Sequence, residues 1–343
     1  MAAERRPIRI GARTSPLARA QADLVAGLLA ERGVESTFVG VTTAGDVDRR
    51  QLTVIGGTGV FVGAVRDALL NESIDVAVHS LKDLPTTPAD ELEMAAIPVR
   101  EDIRDVLIGH RLGSLVDGLT IGTGAPRRAV QLEDYAEQRG LHIKVMPIRG
   151  NVDTRLGLVR SGQLDAVVLA AAGLKRLGRL ARGTQDDVMV TDLPAEVLST
   201  EVMLPAPGQG ALALEIRSSL SLELAEAVRS LDDPTTRSEC EVERVFLATL
   251  EAGCTAPVGA RAVVKSVRGT SLDLTLRAVI GKTLQSTVSE PTEAGPPLRV
   301  ELQRVTTSPS QFGADAARHV LAELDRPSKL SSTEARLTRD REN

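Results

Sequence analysis

Short apolar runs recur along this chain between polar turns, and stretches of helical spacing follow most of them. Strands are predicted at 8–12, 38–42, 74–78, 93–98, 119–123, 142–148, 164–170 and 211–216. The run at 74–78 is interrupted only by Asp75; its length, β-branching and lack of glycine favour strand over helix. Helices are predicted at 16–32, 218–229, 235–251 and 310–324. Ser15 suits the N-cap of the first, and Pro16 its first helical position. Residues 261–279 and 283–289 alternate as hairpin strands. Strand–helix alternation followed by hairpin strands with flanking helices predicts an α/β protein ending in a smaller α+β part.

Two segments break this rhythm. Residues 100–105 are a run of charges, and P-A-P-G-Q-G at 205–210 is a proline- and glycine-rich turn. Read as crossings, they make the first domain discontinuous. Residues 1–104 with 203–217 form domain 1, 105–202 an inserted domain 2, and 218–326 domain 3, with 327–343 a polar, disordered tail. The polar stretch 42–51 and Gly56-Gly57-Thr58-Gly59 read as a loop before another helix. G-G-T-G is neither a P-loop nor a dinucleotide fingerprint.

The length of 343 residues is too great for one ordinary core, in keeping with several domains. Aromatic residues are scarce (four Phe, one Tyr, no Trp), so stacking platforms for nucleic acid are lacking, and a net charge of -5 argues further against such a partner. No apolar stretch approaches the roughly 20 residues that cross a bilayer. The N-terminal residues run into a strand without a signal-type apolar region, which gives the expectation of a cytoplasmic, monomeric protein without membrane partners. A helix of about 12 residues between Cys240 and Cys254 would hold its ends roughly 18 Å apart, too far for a disulfide. His79, His110, His142 and His319 form no ligand-spaced set with the cysteines, so no metal site is expected.

Candidate chemistry gathers where predicted strands end. Ser80, Lys82 and Asp83 follow the strand at 74–78, where open α/β folds bind ligands; the same residues would also make a solvated turn closed by an Asp–Lys pair. A strand, a tight polar turn, a helix N-terminus and an arginine recur together three times. They do so at Arg13/Ser15, at Thr123/Arg127/Arg128 and at Arg149/Asn151/Arg155. Helix N-termini already favour anions, and adding guanidiniums there opposes the helix dipole unless an anion is held. Guanidinium forks suit carboxylates, so a small ligand with several acidic groups is implied. Cys254 sits in a Gly- and Pro-flanked loop, a position open to an inert buried thiol or to a nucleophilic, covalently modified one.

These segments resemble the porphobilinogen deaminase (hydroxymethylbilane synthase) family. The matching stretches are R-T-S-P-L-A at 13–18, D-V-A-V-H-S-L-K-D-L-P at 75–85, R-G-N-V-D-T-R at 149–155, A-G-L-K-R-L-G at 172–178, P-G-Q-G-A at 207–211 and G-C-T-A-P-V-G at 253–259. The resemblance implies two domains folded like type II periplasmic binding proteins and a third, smaller α+β domain. It implies a dipyrromethane cofactor joined by a thioether to Cys254. It also implies head-to-tail condensation of four porphobilinogen molecules with loss of ammonia, and release of hydroxymethylbilane by water. Asp83 resembles the essential carboxylate, and Arg13, Ser15, Lys82, Thr123, Arg127, Arg128, Arg149, Arg155 and Arg176 resemble residues that grip acetate and propionate groups. Ser80, Asn151 and Gln209 join them as candidate substrate or cofactor contacts. Thr58 stands where many members have lysine, Gly124 and Ala125 where hydroxyl residues are frequent, and Ala252 where a second glycine is common. The rival expectation is a non-catalytic protein whose two α/β lobes close on a carboxylated small molecule. It explains the anion sites but not Cys254.

Overall fold

The computed structural model describes residues 6–42, 59–87, 89–181, 187–252, 256–281 and 296–324. The chain divides into two compact units, 1–101 with 210–237 and 102–209 with 238–343. In the first unit, β1 (Ile8–Arg13) pairs in parallel with β2 (Ser36–Val41) and with β3 (Val76–Ser80). Far along the chain, β12 (Leu212–Arg217) enters antiparallel between β3 and β4 (Leu92–Ala96), giving the order β2-β1-β3-β12-β4. Helices α1 (Pro16–Ala30) and α6 (Leu222–Arg229) cover one face through Val25, Leu29 and Val228 against Ile8, Ile10, Val78 and Leu214. Helix α2 (Gly59–Leu70) covers the other, where Val65 and Leu69 meet Ile74 and Ala77. Burial on both faces is why these strands read as continuous apolar runs.

In β3, the strand starts and ends two residues later than the apolar run predicts. At its N-terminal side the Asp75 carboxylate is buried beneath Arg6 and Arg9, which donate to it at 2.8 to 3.0 Å. At its C-terminal side polar His79 and Ser80 continue the ladder because each finds a partner inside. His79 Nε2 lies 3.1 Å from Glu215 Oε2, and Ser80 Oγ accepts from Gln21 Nε2 at 2.8 Å.

The second unit holds a larger mixed sheet of order β7-β6-β8-β5-β11-β10-β9. Its strands are β5 (Asp105–Ile108), β6 (Thr120–Thr123), β7 (Lys144–Pro147), β8 (Ala166–Ala170), β9 (Leu180–Ala181), β10 (Asp187–Val190) and β11 (Leu193–Val197). Helices α3 (Pro126–Glu137), α4 (Val152–Arg160) and α5 (Ala171–Arg176) follow β6, β7 and β8. Strands β5 and β9–β11 were not expected from patterning. The four residues of β5 are an Asp and three apolar residues, too short a run to separate from the charged segment before it.

The same unit carries an antiparallel sheet, β13 (Val258–Arg268), β14 (Ser271–Ile280) and β15 (Leu298–Thr306). Helices α7 (Pro234–Thr249) and α8 (Pro309–Leu324) bury Phe246, Leu250, Phe312 and Val320 on it. The predicted run 261–279 is thus two strands, turned at Gly269, whose φ of 60° favours glycine. The expected strand at 283–289 lies outside the described residues. These sheets bear out the mixed α/β class, with a smaller α+β part toward the C-terminal end. Among the described residues no helix is long and apolar enough to cross a membrane.

Candidate active site

In the first unit, β1 and β3 are parallel neighbours, so their C-terminal ends share one sheet edge. Arg13 closes β1, and Ser15 caps α1 by accepting from Ala18 N at 3.3 Å. Strand β3 runs straight into a 3-10 turn, Leu81–Asp83, pinned by the buried side chains of Leu81 and Leu84. Leu81 N donates to Ala211 O at 3.0 Å and Leu84 N to Leu81 O at 3.2 Å. That anchoring leaves Lys82 half-buried and Asp83 exposed at the end of a rigid element. The edge therefore carries Arg13, Ser15, Ser80, Lys82 and Asp83 together. Sequence reasoning missed Gln21, which fixes the Ser80 hydroxyl from α1. It also missed the buried Arg66–Glu215 pair at 2.7 Å beside His79.

In the second unit β7, β6 and β8 are adjacent and parallel, and β5 runs against β8 with Asp105 opposite Ala170. The helix-bearing ends of three strands and the start of β5 accordingly fall on one edge. Thr123 is buried and its Oγ1 accepts from Ala125 N at 3.2 Å. Arg127 and Arg128, in the first turn of α3, are buried rather than solvent-facing. Asp105, wholly buried, accepts from Arg127 Nη1 through Oδ2 and from Arg128 Nη2 through Oδ1, both at 2.7 Å. The two guanidiniums hold the Asp105 carboxyl far below the usual range against the opposing effect of burial, and desolvation lowers the Arg127 pKa.

Asn151 caps α4, its Oδ1 accepting from Thr154 N at 2.8 Å, while Arg149 beside it is exposed. Arg155 Nε donates to Gly150 O at 2.9 Å. A Cβ on Gly124 would meet Ile148 O at 2.7 Å and stand 3.7 Å from both Arg155 Nη atoms. The glycine at 124 is therefore what lets this turn pass close to Ile148, with the Arg155 guanidinium near it. Arg176 ends α5, and its neighbour Lys175 lies 3.3 Å from Asp102. Burial opposes ionisation of Asp102, yet bonds from Arg104 and the charge of Lys175 outweigh it and hold its carboxyl at about 2.

Gln209 is fully buried: its Nε2 donates to Ile103 O at 2.7 Å and Asp105 Oδ1 at 2.9 Å, and its Oε1 accepts from Arg127 Nη2 at 2.9 Å. Cys254 and Thr58 lie outside the described residues, whereas Cys240 and Ala252 are both buried. Among the described residues no cluster of His, Cys, Asp and Glu could hold a metal ion.

With this geometry in view, residues 8–223 match the family description "porphobilinogen deaminase, dipyromethane cofactor binding domain", and residues 237–302 match "porphobilinogen deaminase, C-terminal domain". The chain belongs to the porphobilinogen deaminase family. It is similar to porphobilinogen deaminase 1 of Streptomyces coelicolor, with 50% identity over 84% of this chain and 88% of the relative. It is also similar to porphobilinogen deaminase of Cutibacterium acnes, with 42% identity over 92% of this chain and 94% of the relative. A periplasmic substrate-binding protein of an ABC transporter from Coxiella burnetii overlaps 67% of this chain and 94% of its own, at 14% identity and a TM-score of 0.38. Membership in the porphobilinogen deaminase family makes the chain an enzyme, a transferase with a dipyrromethane cofactor.

The residues present fit such a group. Two guanidiniums share the single carboxylate of Asp105, which leaves this buried cluster one positive charge in excess. Arg128 Nε is buried and meets no acceptor among the described residues. A buried guanidinium N–H without an acceptor is costly, and a molecule rich in carboxylates supplies what is missing.

Proposed function

We propose that the chain condenses four porphobilinogen molecules head to tail, each with loss of ammonia, and releases hydroxymethylbilane by hydrolysis. It acts as a cytoplasmic monomer without nucleic-acid or membrane partners. It is organised as three domains, 1–104 with 203–217, 105–202 and 218–326. The dipyrromethane, joined by a thioether to Cys254, supplies the primer to which the units are added. Asp83 faces the pyrrole nitrogen and stabilises the positive charge that develops on the substrate as ammonia departs. The same carboxylate assists proton transfer there. In the first unit Arg13, Ser15, Ser80 and Lys82 receive acidic side groups. In the second unit Thr123, Arg127, Arg128, Arg149, Asn151, Arg155 and Arg176 receive such groups.

The observation that carries this reading is the exposed Asp83 carboxylate on a turn pinned by two buried leucines, at the end of a strand beside Lys82. The experiment is intact mass measurement of protein made in cells with a working tetrapyrrole pathway. A covalent adduct is expected on the wild type and on Cys240→Ser, and none on Cys254→Ser. An unmodified wild-type mass would sink the enzyme reading and favour a simple binding protein.

A further inference from the structure

We propose that Asp105 and Gln209 are positioning residues: a buried clamp that fixes the guanidinium planes of Arg127 and Arg128 and leaves them one net positive charge to offer an acidic ligand. This inference rests on the reading above, in which those arginines receive carboxylates.

Two adjacent guanidiniums repel each other, and nothing in helix α3 itself holds them in one arrangement. Asp105 does so from another strand, because each of its oxygens accepts from a different arginine at 2.7 Å. Gln209 closes the arrangement by donating to Asp105 Oδ1 and accepting from Arg127 Nη2, both at 2.9 Å. Backbone carbonyls complete it: Leu204 O accepts from Arg127 Nη1 at 2.9 Å and Val168 O from Arg128 Nη1 at 3.0 Å. Every atom of the clamp belongs to the second unit. The burial of Gln209 behind Arg127 makes it a support for the binding side chains instead of a ligand contact.

The stoichiometry matters as much as the geometry. One carboxylate per two guanidiniums is enough to suppress their repulsion but not to neutralise them. The depressed pKa of Asp105 keeps that ratio constant over the working pH range. A clamp with two carboxylates would quench the site, and one with none would let the arginines splay.

The test uses full-length protein made in cells that supply the cofactor, with Asp105→Asn, Asp105→Glu and Gln209→Met. Two quantities are read: the fraction of folded chains bearing the covalent adduct, by intact mass, and the shift of Tm on adding inorganic phosphate. Asp105→Asn is expected to lower the adduct fraction by roughly tenfold or more, the scale on which losing a supporting hydrogen-bond shell acts. Its Tm should rise with phosphate more than that of the wild type, because an anion can take the place of the lost carboxylate. Asp105→Glu should restore the wild-type phosphate response without restoring the adduct fraction.

A wild-type adduct fraction in Asp105→Asn, or a phosphate response equal to that of the wild type, would overturn the proposal. If Asp105→Asn yields no folded protein, Gln209→Met decides, since it keeps every charge. A lowered adduct fraction with unchanged helix content then supports the clamp, and an unchanged fraction overturns it. Absence of the adduct from the wild type would refute the function proposed above, and the phosphate comparison would still judge the clamp.

Discussion

Asp83, in the turn after β3, and Glu215, in β12, are carboxylates of the same unit with opposite surroundings. Asp83 is exposed on a pinned turn, so Asp83→Asn removes charge without disturbing packing. Turnover of porphobilinogen by Asp83→Asn is expected to fall on the order of 100- to 1000-fold, with the far-UV spectrum and Tm unchanged. Asp83→Glu should fall between the two, because it keeps the charge but displaces it. Steady-state rates near wild type in the Asn variant would remove Asp83 from the mechanism. Glu215, by contrast, is buried between Arg66 and His79. Burial opposes its ionisation, but the bonds to His79 and Arg66 outweigh it and lower its carboxyl from 4.5 to about 2. A depressed pKa adds stability that is complete above about 4.5 and is lost as pH falls toward 2, up to roughly 3 kcal/mol. Glu215→Gln should be less stable at neutral pH and should show a flatter acid limb over that interval in denaturant titrations. At this scale the position of Arg13, Lys82 and Asp83 at the ends of β1 and β3 was legible, because each closes or follows an apolar run. The burial of Arg127, Arg128 and Gln209 was not legible. Their common partner, Asp105, comes from a distant segment that reads as one more surface charge.

Glycines show how closely the elements approach. A Cβ on Gly313 in α8 would stand 2.6 Å from Val242 O in α7, so the two helices touch backbone to backbone. Gly313→Ala should cost about 1–3 kcal/mol through forced separation, measured as a lowered Tm and denaturation midpoint. Gly27 in α1 is exposed, with nothing within 4 Å of an added Cβ, and Gly27→Ala should raise stability by up to about 1 kcal/mol. Opposite signs for one chemical change would separate contact from propensity. Most strands of the parallel cores were legible, because burial on both faces forces long β-branched runs. What patterning could not give was β5 and β9–β11, whose residues are too few to show a period. Nor could it divide 261–279 in two, since a hairpin alternates on both sides of its turn.

At the scale of the whole molecule, the first sheet is not made from one continuous length of chain. Strand β12 lies between β3 and β4 and pairs with both, yet it comes after the entire seven-stranded sheet of the second unit in sequence. During synthesis the facing edges of β3 and β4 therefore wait for roughly 115 further residues, on the order of 10 s at ribosomal rates. The intervening sheet needs nothing made later for its own strand pairing, so it can close first. A chain ended after Gln209 should give a protease-resistant second-unit fragment beginning near Asp102, while residues 1–101 are digested. Extension to Arg237 should protect both. The nascent chain thus completes its inserted part before the part that starts it, and the open gap between β3 and β4 is where a chaperone that shields unpaired strand edges would be needed.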